Sequence, residues 1–333
     1  MYNKTMDNVL VLLETNPAFR DELAGILSGY NIIFNESGDT KSIAKEVAEN
    51  TTIILGSPSP AFLKFCPRLK WLQLQSAGAN KFTGGELTAG GAKEPLLTCA
   101  TGSYEHAVSE HMVALTLALF KKLHLYRDEQ LQSRWQERGG VQSVQGAEVL
   151  VVGLGDIGGG YARRMKALGA RVTGVRRAAV RTKPDYVDEL ILSDALDGAL
   201  PKADVVALVL PETQETIDLM NRERLAKMKK GAFIVNAGRG SAIDSEALCD
   251  ALASGALGGA GLDVTHVEPL PPEHRLWKLE NALITPHIAG GNYMPQTHLY
   301  ILRLCLENAA RFVKGQRLKS LVDLNTGYAF PQD

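Results

Sequence analysis

Four cysteines in 333 residues, Cys66, Cys99, Cys249 and Cys305, are widely scattered with no C-x-x-C pair. They give neither a disulfide framework nor a zinc-type ligand spacing, and read as buried thiols. Net charge is equally scarce. With 36 Lys and Arg against 37 Asp and Glu the formal charge is −1, so no overall field favours nucleic acid or an anionic membrane, and any anion site has to be local. Long apolar runs are missing as well: the longest, Met112–Phe120, falls far short of the roughly 20 residues that cross a bilayer. The first residues lead straight into the strand-like run Val9–Leu13 without an apolar leader and small-residue cleavage site, so a cytoplasmic protein is expected. Low-complexity tracts and any repeat beyond a generic βα unit are absent, which argues against a solenoid.

What is present is a chain long enough for two ordinary domains, 45% hydrophobic and 22% charged. Short apolar runs alternate with amphipathic segments. Val9–Leu13, Ile32–Phe34, Ile53–Leu55, Leu69–Leu74 and Leu96–Cys99 read as strands, and Pro17–Leu27 as a helix with Asn16 at its cap and Pro17 at its first position. Gly84, Gly85, Gly90 and Gly91 mark turns. Tyr104–Tyr126 is the longest helical pattern, with Ser103 as candidate cap. Strand candidates then follow at Glu148–Val152, Arg171–Val175, Val205–Leu210, Phe233–Val235, Gly261–Val264 and Leu283–Ile284, before a last helix over Pro295–Lys314. Several are unbroken apolar runs, as strands buried on both faces require, which predicts a parallel, doubly wound sheet.

The chemistry concentrates after Glu148. Val149–Val152 feeds the glycine-rich turn Gly153-Leu154-Gly155-Asp156-Ile157-Gly158, which opens a helical pattern carrying Tyr161, Met165 and Leu168. Glycines alone would be a weak signal, but this strand-turn-helix setting is the one in which they bind a dinucleotide. Gly153 permits the tight turn, Gly155 lets backbone approach a pyrophosphate, and Gly158 lets helix and strand pack closely. About 20 residues further on, an NAD-selective site places an acid on the ribose 2′-hydroxyl. Here the position holds Arg176 and Arg177, whose guanidinium groups suit a 2′-phosphate instead. At roughly 1.5 kcal/mol each, the pair favours NADP(H) over NAD(H) on the order of 100-fold. Arg181 and Lys183 are candidates for the same patch. The plain alternative is a solvated basic turn.

Four further segments occur in order: Leu210-Pro211-Glu-Thr-Gln-Glu-Thr216, Asn236-Ala237-Gly238-Arg239-Gly, Asp263-Val-Thr-His-Val-Glu268-Pro-Leu-Pro, and Thr285-Pro286-His287-Ile-Ala-Gly. With the glycine-rich turn they resemble the D-isomer-specific 2-hydroxyacid dehydrogenases, over about residues 103 to 292. The resemblance implies an α/β protein of two doubly wound domains, with a Rossmann domain (104–293) inserted into a flavodoxin-like substrate domain (1–103 and 294–333). It implies an oxidoreductase that moves a hydride between NADP(H) and a small 2-keto or 2-hydroxy acid, D-specific, of the glyoxylate or hydroxypyruvate type. Arg239, Glu268 and His287 are then the catalytic set. Leu210, Pro211, Thr216, Ala237 and Gly238 join the glycine-rich turn in holding the cofactor, with Asp263 facing the nicotinamide carboxamide and Thr101 lining its pocket. Ala77, Gly78 and Ala79, in the run Ser76–Ala79, are expected to hold the substrate carboxylate with Arg239 and His287. The long helix after Ser103 resembles the segment through which the family forms homodimers.

These roles make chemical sense. Reducing a 2-keto acid needs a hydride at C2 and a proton on the carbonyl oxygen, and an imidazole titrating near neutrality supplies that proton and retrieves it in reverse. A carboxylate beside it favours the imidazolium, and a guanidinium fork matches the substrate carboxylate and the polarised carbonyl. Taken singly, His287 after a proline, Glu268 before one and Arg239 between glycines also have readings as ordinary turn or surface residues. His106 and His111, five apart and so about 140° around a helix, do not form a metal-ligating pair, and read as polar helix or interface residues. Trp135 is open between a lid, a subunit contact and an ordinary buried anchor. Formate dehydrogenases carry Gln where this chain has Pro286. Many phosphoglycerate dehydrogenases add a C-terminal domain for which a chain ending at Asp333 leaves no room, though a minimal version of that enzyme stays open, as does a cofactor-sensing binding protein on the same scaffold. The substrate's side-chain preference is not legible.

Overall fold

The computed structural model describes residues 6–177, 182–291, 294–325 and 329–330. The chain divides into two compact units, Met1–Ser103 together with Pro295–Asp333, and Tyr104–Met294. In the first unit, β1 (Asn8–Val11), α1 (Pro17–Ile26), β2 (Asn31–Phe34), α2 (Lys45–Glu49), β3 (Thr51–Leu55), β4 (Trp71–Gln73) and β5 (Leu96–Thr98) build a parallel sheet in the order β2-β1-β3-β4-β5. That is the flavodoxin-like order. Asn16 does cap α1, its Oδ1 accepting from the Phe19 amide at 2.8 Å, and Pro17 fills the first turn, where a missing N–H costs nothing.

The C-terminal helix, Pro295–Val313, belongs to this unit although nearly 200 residues separate it from β5. Buried Trp71 stacks on Phe312 at 5.3 Å between ring centroids and donates its indole N–H to Thr98 Oγ1 at 2.8 Å. Asn308, fully buried, donates to Gln73 Oε1 at 2.7 Å and to the Lys319 carbonyl at 3.1 Å. A buried amide is costly unless bonded, so this pairing fixes where the returning helix sits on the sheet.

The second unit runs α3 (Glu105–Phe120), α4 (Leu123–Leu131), β6 (Glu148–Val152), α5 (Asp156–Ala167), β7 (Arg171–Arg176), β8 (Glu189–Leu192), α6 (Leu196–Ala199), β9 (Val205–Leu208), α7 (Arg222–Lys227), β10 (Phe233–Asn236), α8 (Ser245–Ala253), β11 (Gly259–Leu262) and β12 (Ala282–Ile284). Its seven parallel strands lie in the order β12-β11-β10-β9-β6-β7-β8, so β6, the first strand of the unit, lies inside the sheet between β9 and β7. Numbered within the unit this reads 3-2-1-4-5-6-7, the Rossmann order with one strand added. Alternate side chains serve two cores. Val149, Val151, Val205 and Ala207 pack with residues of α3 and α5, while Leu150, Val152, Val206 and Leu208 pack with residues of α7 and α8. Burial on both faces is why these strands are unbroken apolar runs.

Three local expectations need correcting. The helix predicted over Tyr104–Tyr126 is two helices, because Lys122 adopts a left-handed φ of +55° between them and its Nζ reaches the Arg138 carbonyl. No glycine or proline marks that break. Tyr104, not Ser103, sits at the cap of α3, and without a side-chain cap bond. Strand β8 was not anticipated: it is a four-residue edge strand with both ends exposed, too short to show a pattern. All four cysteines are free and buried, and no helix among the described residues is long and apolar enough to cross a membrane.

Candidate active site

In the second unit, most of the sequence-selected residues lie at the carboxyl ends of adjacent parallel strands. Thr285–His287 follows β12, Asp263–Glu268 follows β11, Ala237–Arg239 follows β10, Leu210–Thr216 follows β9, Gly153–Gly158 follows β6, and Arg176–Arg177 ends β7. Connections reverse direction between β9 and β6, and ligands of open α/β sheets bind outside the carboxyl edge at such a switch point.

The glycine-rich turn fits a pyrophosphate. Gly153 has φ +98°, and a Cβ there would collide with the Val209 carbonyl; a Cβ on Gly158 would collide with the carbonyl of Gly153. Both are needed for the fold of the turn. Gly155 is different: nothing lies within 4 Å of a Cβ placed on it, so open space faces the backbone at the cap of α5, where amide donors and the helix dipole favour an anion. Leu154 is buried, and Asp156 and Ile157 begin the helix.

At the end of β7 the two arginines differ. Arg176 Nε is buried with no hydrogen-bond partner among the described residues. A buried guanidinium N–H left unpaired is costly and suits an arriving acceptor. Arg177 is more exposed and stands 4.0 Å from Glu215 Oε2. Lys183 donates to the Val187 carbonyl close by in sequence, and Arg181 lies outside the described residues. Thr216 spends its hydroxyl inside its own loop, donating to the Pro211 carbonyl at 2.7 Å and accepting from the Thr213 amide at 2.8 Å. Ser241 donates to Glu212 Oε2 at 2.5 Å, tying the loop after β9 to the loop after β10.

The other half of the edge is closely bonded. Asn236, fully buried at the end of β10, accepts from the Gly238 amide at 3.0 Å and donates to the Arg239 carbonyl at 2.9 Å, clamping the loop at both ends. Arg239 is thereby presented half-buried. Of its guanidinium donors only Nη1 has a partner among the described residues, the Gly238 carbonyl at 2.8 Å. Glu268 Oε1 accepts from the Thr265 amide at 3.1 Å, and Oε2 lies 2.8 Å from His287 Nδ1. A carboxylate only accepts, so Nδ1 carries a proton and Nε2 is left for another partner. The imidazole side chain is 52% exposed. Such a pair, beside an unspent guanidinium fork on the next strand, can carry a proton and bind an anion.

Asp263, 2% exposed, holds the His287 loop: its carboxylate accepts from Thr285 Oγ1 at 2.6 Å, Ile288 N at 3.0 Å and Ala289 N at 3.1 Å, and its backbone carbonyl accepts from His287 N at 2.8 Å. His111, read from sequence as a polar helix residue, joins this group, with Nε2 2.9 Å from Thr285 Oγ1 and 3.6 Å from Asp263 Oδ1. Spacing along one helix gives no hint of a contact 174 residues away in the chain. His106 faces Arg164 instead, 3.1 Å from its guanidinium. Trp135 is fully exposed within the chain, which rules out the buried-anchor reading.

The first unit carries the remaining candidates. Ser76 Oγ donates to the Gly78 carbonyl at 2.7 Å, curling the Ser76–Ala79 loop after β4, and the amides of Gly78 and Ala79 donate to no protein acceptor among the described residues. Thr101 Oγ1 lies 3.1 Å from Cys99 Sγ.

Residues 113–289 match the family model for the NAD binding domain of D-isomer specific 2-hydroxyacid dehydrogenases. A glyoxylate reductase of Thermofilum pendens is 33% identical over 267 residues, 77% of this chain and 76% of its own length. Among solved structures, a D-isomer specific 2-hydroxyacid dehydrogenase family protein from Aeromonas salmonicida superposes with TM-score 0.82 at 31% identity, covering 96% of this chain and all of that one. An NADPH-dependent glyoxylate/hydroxypyruvate reductase from Sinorhizobium meliloti, in complex with NADP and sulfate, gives 0.78 at 25% identity over 97% of this chain and all of its own. The chain belongs to the D-isomer specific 2-hydroxyacid dehydrogenase family. It is an oxidoreductase acting on CH–OH donors.

Proposed function

We propose that this protein is an NADP(H)-preferring reductase of a small 2-keto acid such as glyoxylate or hydroxypyruvate, yielding the D-hydroxy acid where a stereocentre forms. The observation that carries the reading is the 2.8 Å pair of His287 Nδ1 and Glu268 Oε2, with Arg239 on the neighbouring strand end. In reduction the cofactor supplies the hydride to C2. His287 gives the proton on Nε2 to the carbonyl oxygen and takes it back in the oxidative direction, while Glu268 orients the ring through Nδ1. Arg239 holds the substrate carboxylate, and its guanidinium supports charge developing on the carbonyl oxygen; in the first unit the amides of Gly78 and Ala79, with no protein acceptor among the described residues, suit a carboxylate as well.

Gly153–Gly158 hold the pyrophosphate, with Leu210, Pro211, Thr216, Ala237, Gly238 and Asp263 along the rest of the cofactor. The NADP preference is supported by Arg176 Nε, buried with no partner among the described residues, and by Arg177 beside it, where an NAD-selective site carries an acid. Four buried free thiols suit the cytoplasm, and Leu123, Leu131, Trp135 and Val141, all exposed around α4, suit a homodimer. Steady oxidation of NADPH by glyoxylate, hydroxypyruvate or a branched 2-keto acid, compared with NADH, tests the reading. Tight cofactor binding without turnover on any of them would instead make the protein a cofactor sensor, and turnover confined to the 3-phosphoglycerate couple would make it a phosphoglycerate dehydrogenase.

A further inference from the structure

We infer that His111 is a positioning residue for His287, acting from α3 through Thr285 and Asp263; the inference rests on the proposed proton-transfer role of His287. His287 occupies a left-handed φ of +54°, a conformation uncommon outside glycine that persists only where the surroundings hold it. What holds it is Asp263, which brackets His287 in the chain by accepting from Thr285 before it, from Ile288 and Ala289 after it, and from its own amide. The Thr285 hydroxyl has one proton. It goes to Asp263 Oδ1, because a carboxylate offers no donor, and the hydroxyl lone pair is then left for His111 Nε2 at 2.9 Å. His111 is therefore protonated on Nε2 and donates.

The imidazole is the one polar group that α3 sends to this loop among the described residues. Its neighbours Val108, Met112 and Leu115 are buried apolar core, and a leucine in its place would fill the space without a donor. His111 thus anchors the turn that carries His287 to a helix packed in the core of the unit. A side chain that orients a catalytic group in this way changes the chemical step more than ligand binding.

The experiment compares His111→Leu, His111→Gln and Thr285→Val, each in the native background and with His287→Ala. His111→Leu is expected to lower kcat about 10- to 100-fold, the cost of a misplaced reacting group, with the Kd for NADPH within about two-fold. His111→Gln, whose amide N–H reaches the place of Nε2, restores most of that loss. Thr285→Val cuts the same link from the other side, so it gives a similar loss and adds little to His111→Leu. With His287→Ala, none of the three lowers the residual rate further, because they act through the missing ring. Equal losses in both backgrounds, or a Kd that rises as much as kcat falls, overturns the inference.

A second reading does not depend on turnover. Amide exchange at Ile288 and Ala289, followed by NMR, is expected to speed up about 10-fold in His111→Leu and to stay near the native rate in His111→Gln. Unchanged exchange in His111→Leu overturns the positioning role. Faster exchange in a protein that reduces no 2-keto acid overturns the proposed function and leaves the anchoring of the His287 turn standing.

Discussion

Two halves of one sheet edge are built to different degrees of completion. At the ends of β10, β11 and β12, Asn236, Asp263, Thr285, His111 and Glu268 spend their hydrogen bonds on one another and on the loops they hold, while the outer face of His287 and the guanidinium donors of Arg239 other than Nη1 have no partner among the described residues. At the ends of β6 and β7, by contrast, Gly155 faces open space and Arg176 Nε is buried without a partner among the described residues. Groups that act on a reacting centre gain from being fixed beforehand. Groups that bind a polyanion gain from having donors that no protein acceptor satisfies. The contrast fits the proposed division, in which the reacting groups stand on the first half and the phosphates of the cofactor on the second.

Substitutions that affect only one half sharpen that contrast, and any that affects both breaks it. His287→Ala is expected to lower kcat about 10²- to 10⁴-fold, the range for a lost general acid–base group, while the Kd for NADPH, measured by fluorescence titration, stays near the native value. A parallel loss of NADPH binding would mean that the halves are not separable. Next in size, Gly155→Val places a side chain in the open space at the cap of α5. Binding of NADPH and NADH should weaken alike, on the order of 100-fold for the loss of two or more charge-assisted bonds, with a Tm close to native because no protein atom is met.

Arg176→Ala combined with Arg177→Ala should raise the KM for NADPH up to about 100-fold and leave that for NADH nearly unchanged; equal changes would reject the 2′-phosphate role. The smallest effect is expected from Glu268→Gln. Glu268 Oε2 orients the imidazole through Nδ1, and an amide in its place can turn its NH2 toward the ring, so kcat for reduction is expected to fall about 10-fold with the Kd for NADPH near the native value. A kcat equal to the native one would remove Glu268 from the positioning of His287.

Much of this site was legible in the chain because it is local. Gly153, Gly155 and Gly158 sit in one turn, and Asn236–Arg239, Asp263–Glu268 and Thr285–His287 are each a short segment directly after a strand, so the doubly wound sheet and the family could be read from apolar runs and the segments behind them. His111 could not be read in this way, since its partners Thr285 and Asp263 come from strand ends far along the chain. Nor could the difference between Arg176 and Arg177, adjacent letters of which one has a buried Nε with no partner among the described residues and the other stands toward Glu215. The break at Lys122 and the edge strand β8 escaped for a related reason: a backbone held left-handed by a tertiary contact and a half-exposed four-residue strand leave no period to detect.

The sequence by itself determined the fold class, the family and the segments that carry Arg239, Glu268 and His287, because the alternation of apolar runs and the residue types after each strand are properties of neighbours in the chain. Only the tertiary structure decided which of those groups are already bonded and which are left open. It closed Asp263 and Thr285 around the His287 turn, drew in His111 from a helix, left open space at Gly155, and left Arg176 Nε without a partner among the described residues. Hydrogen-bond saturation is settled by which strand ends lie side by side, and that order, β12-β11-β10-β9-β6-β7-β8, is written in no single segment.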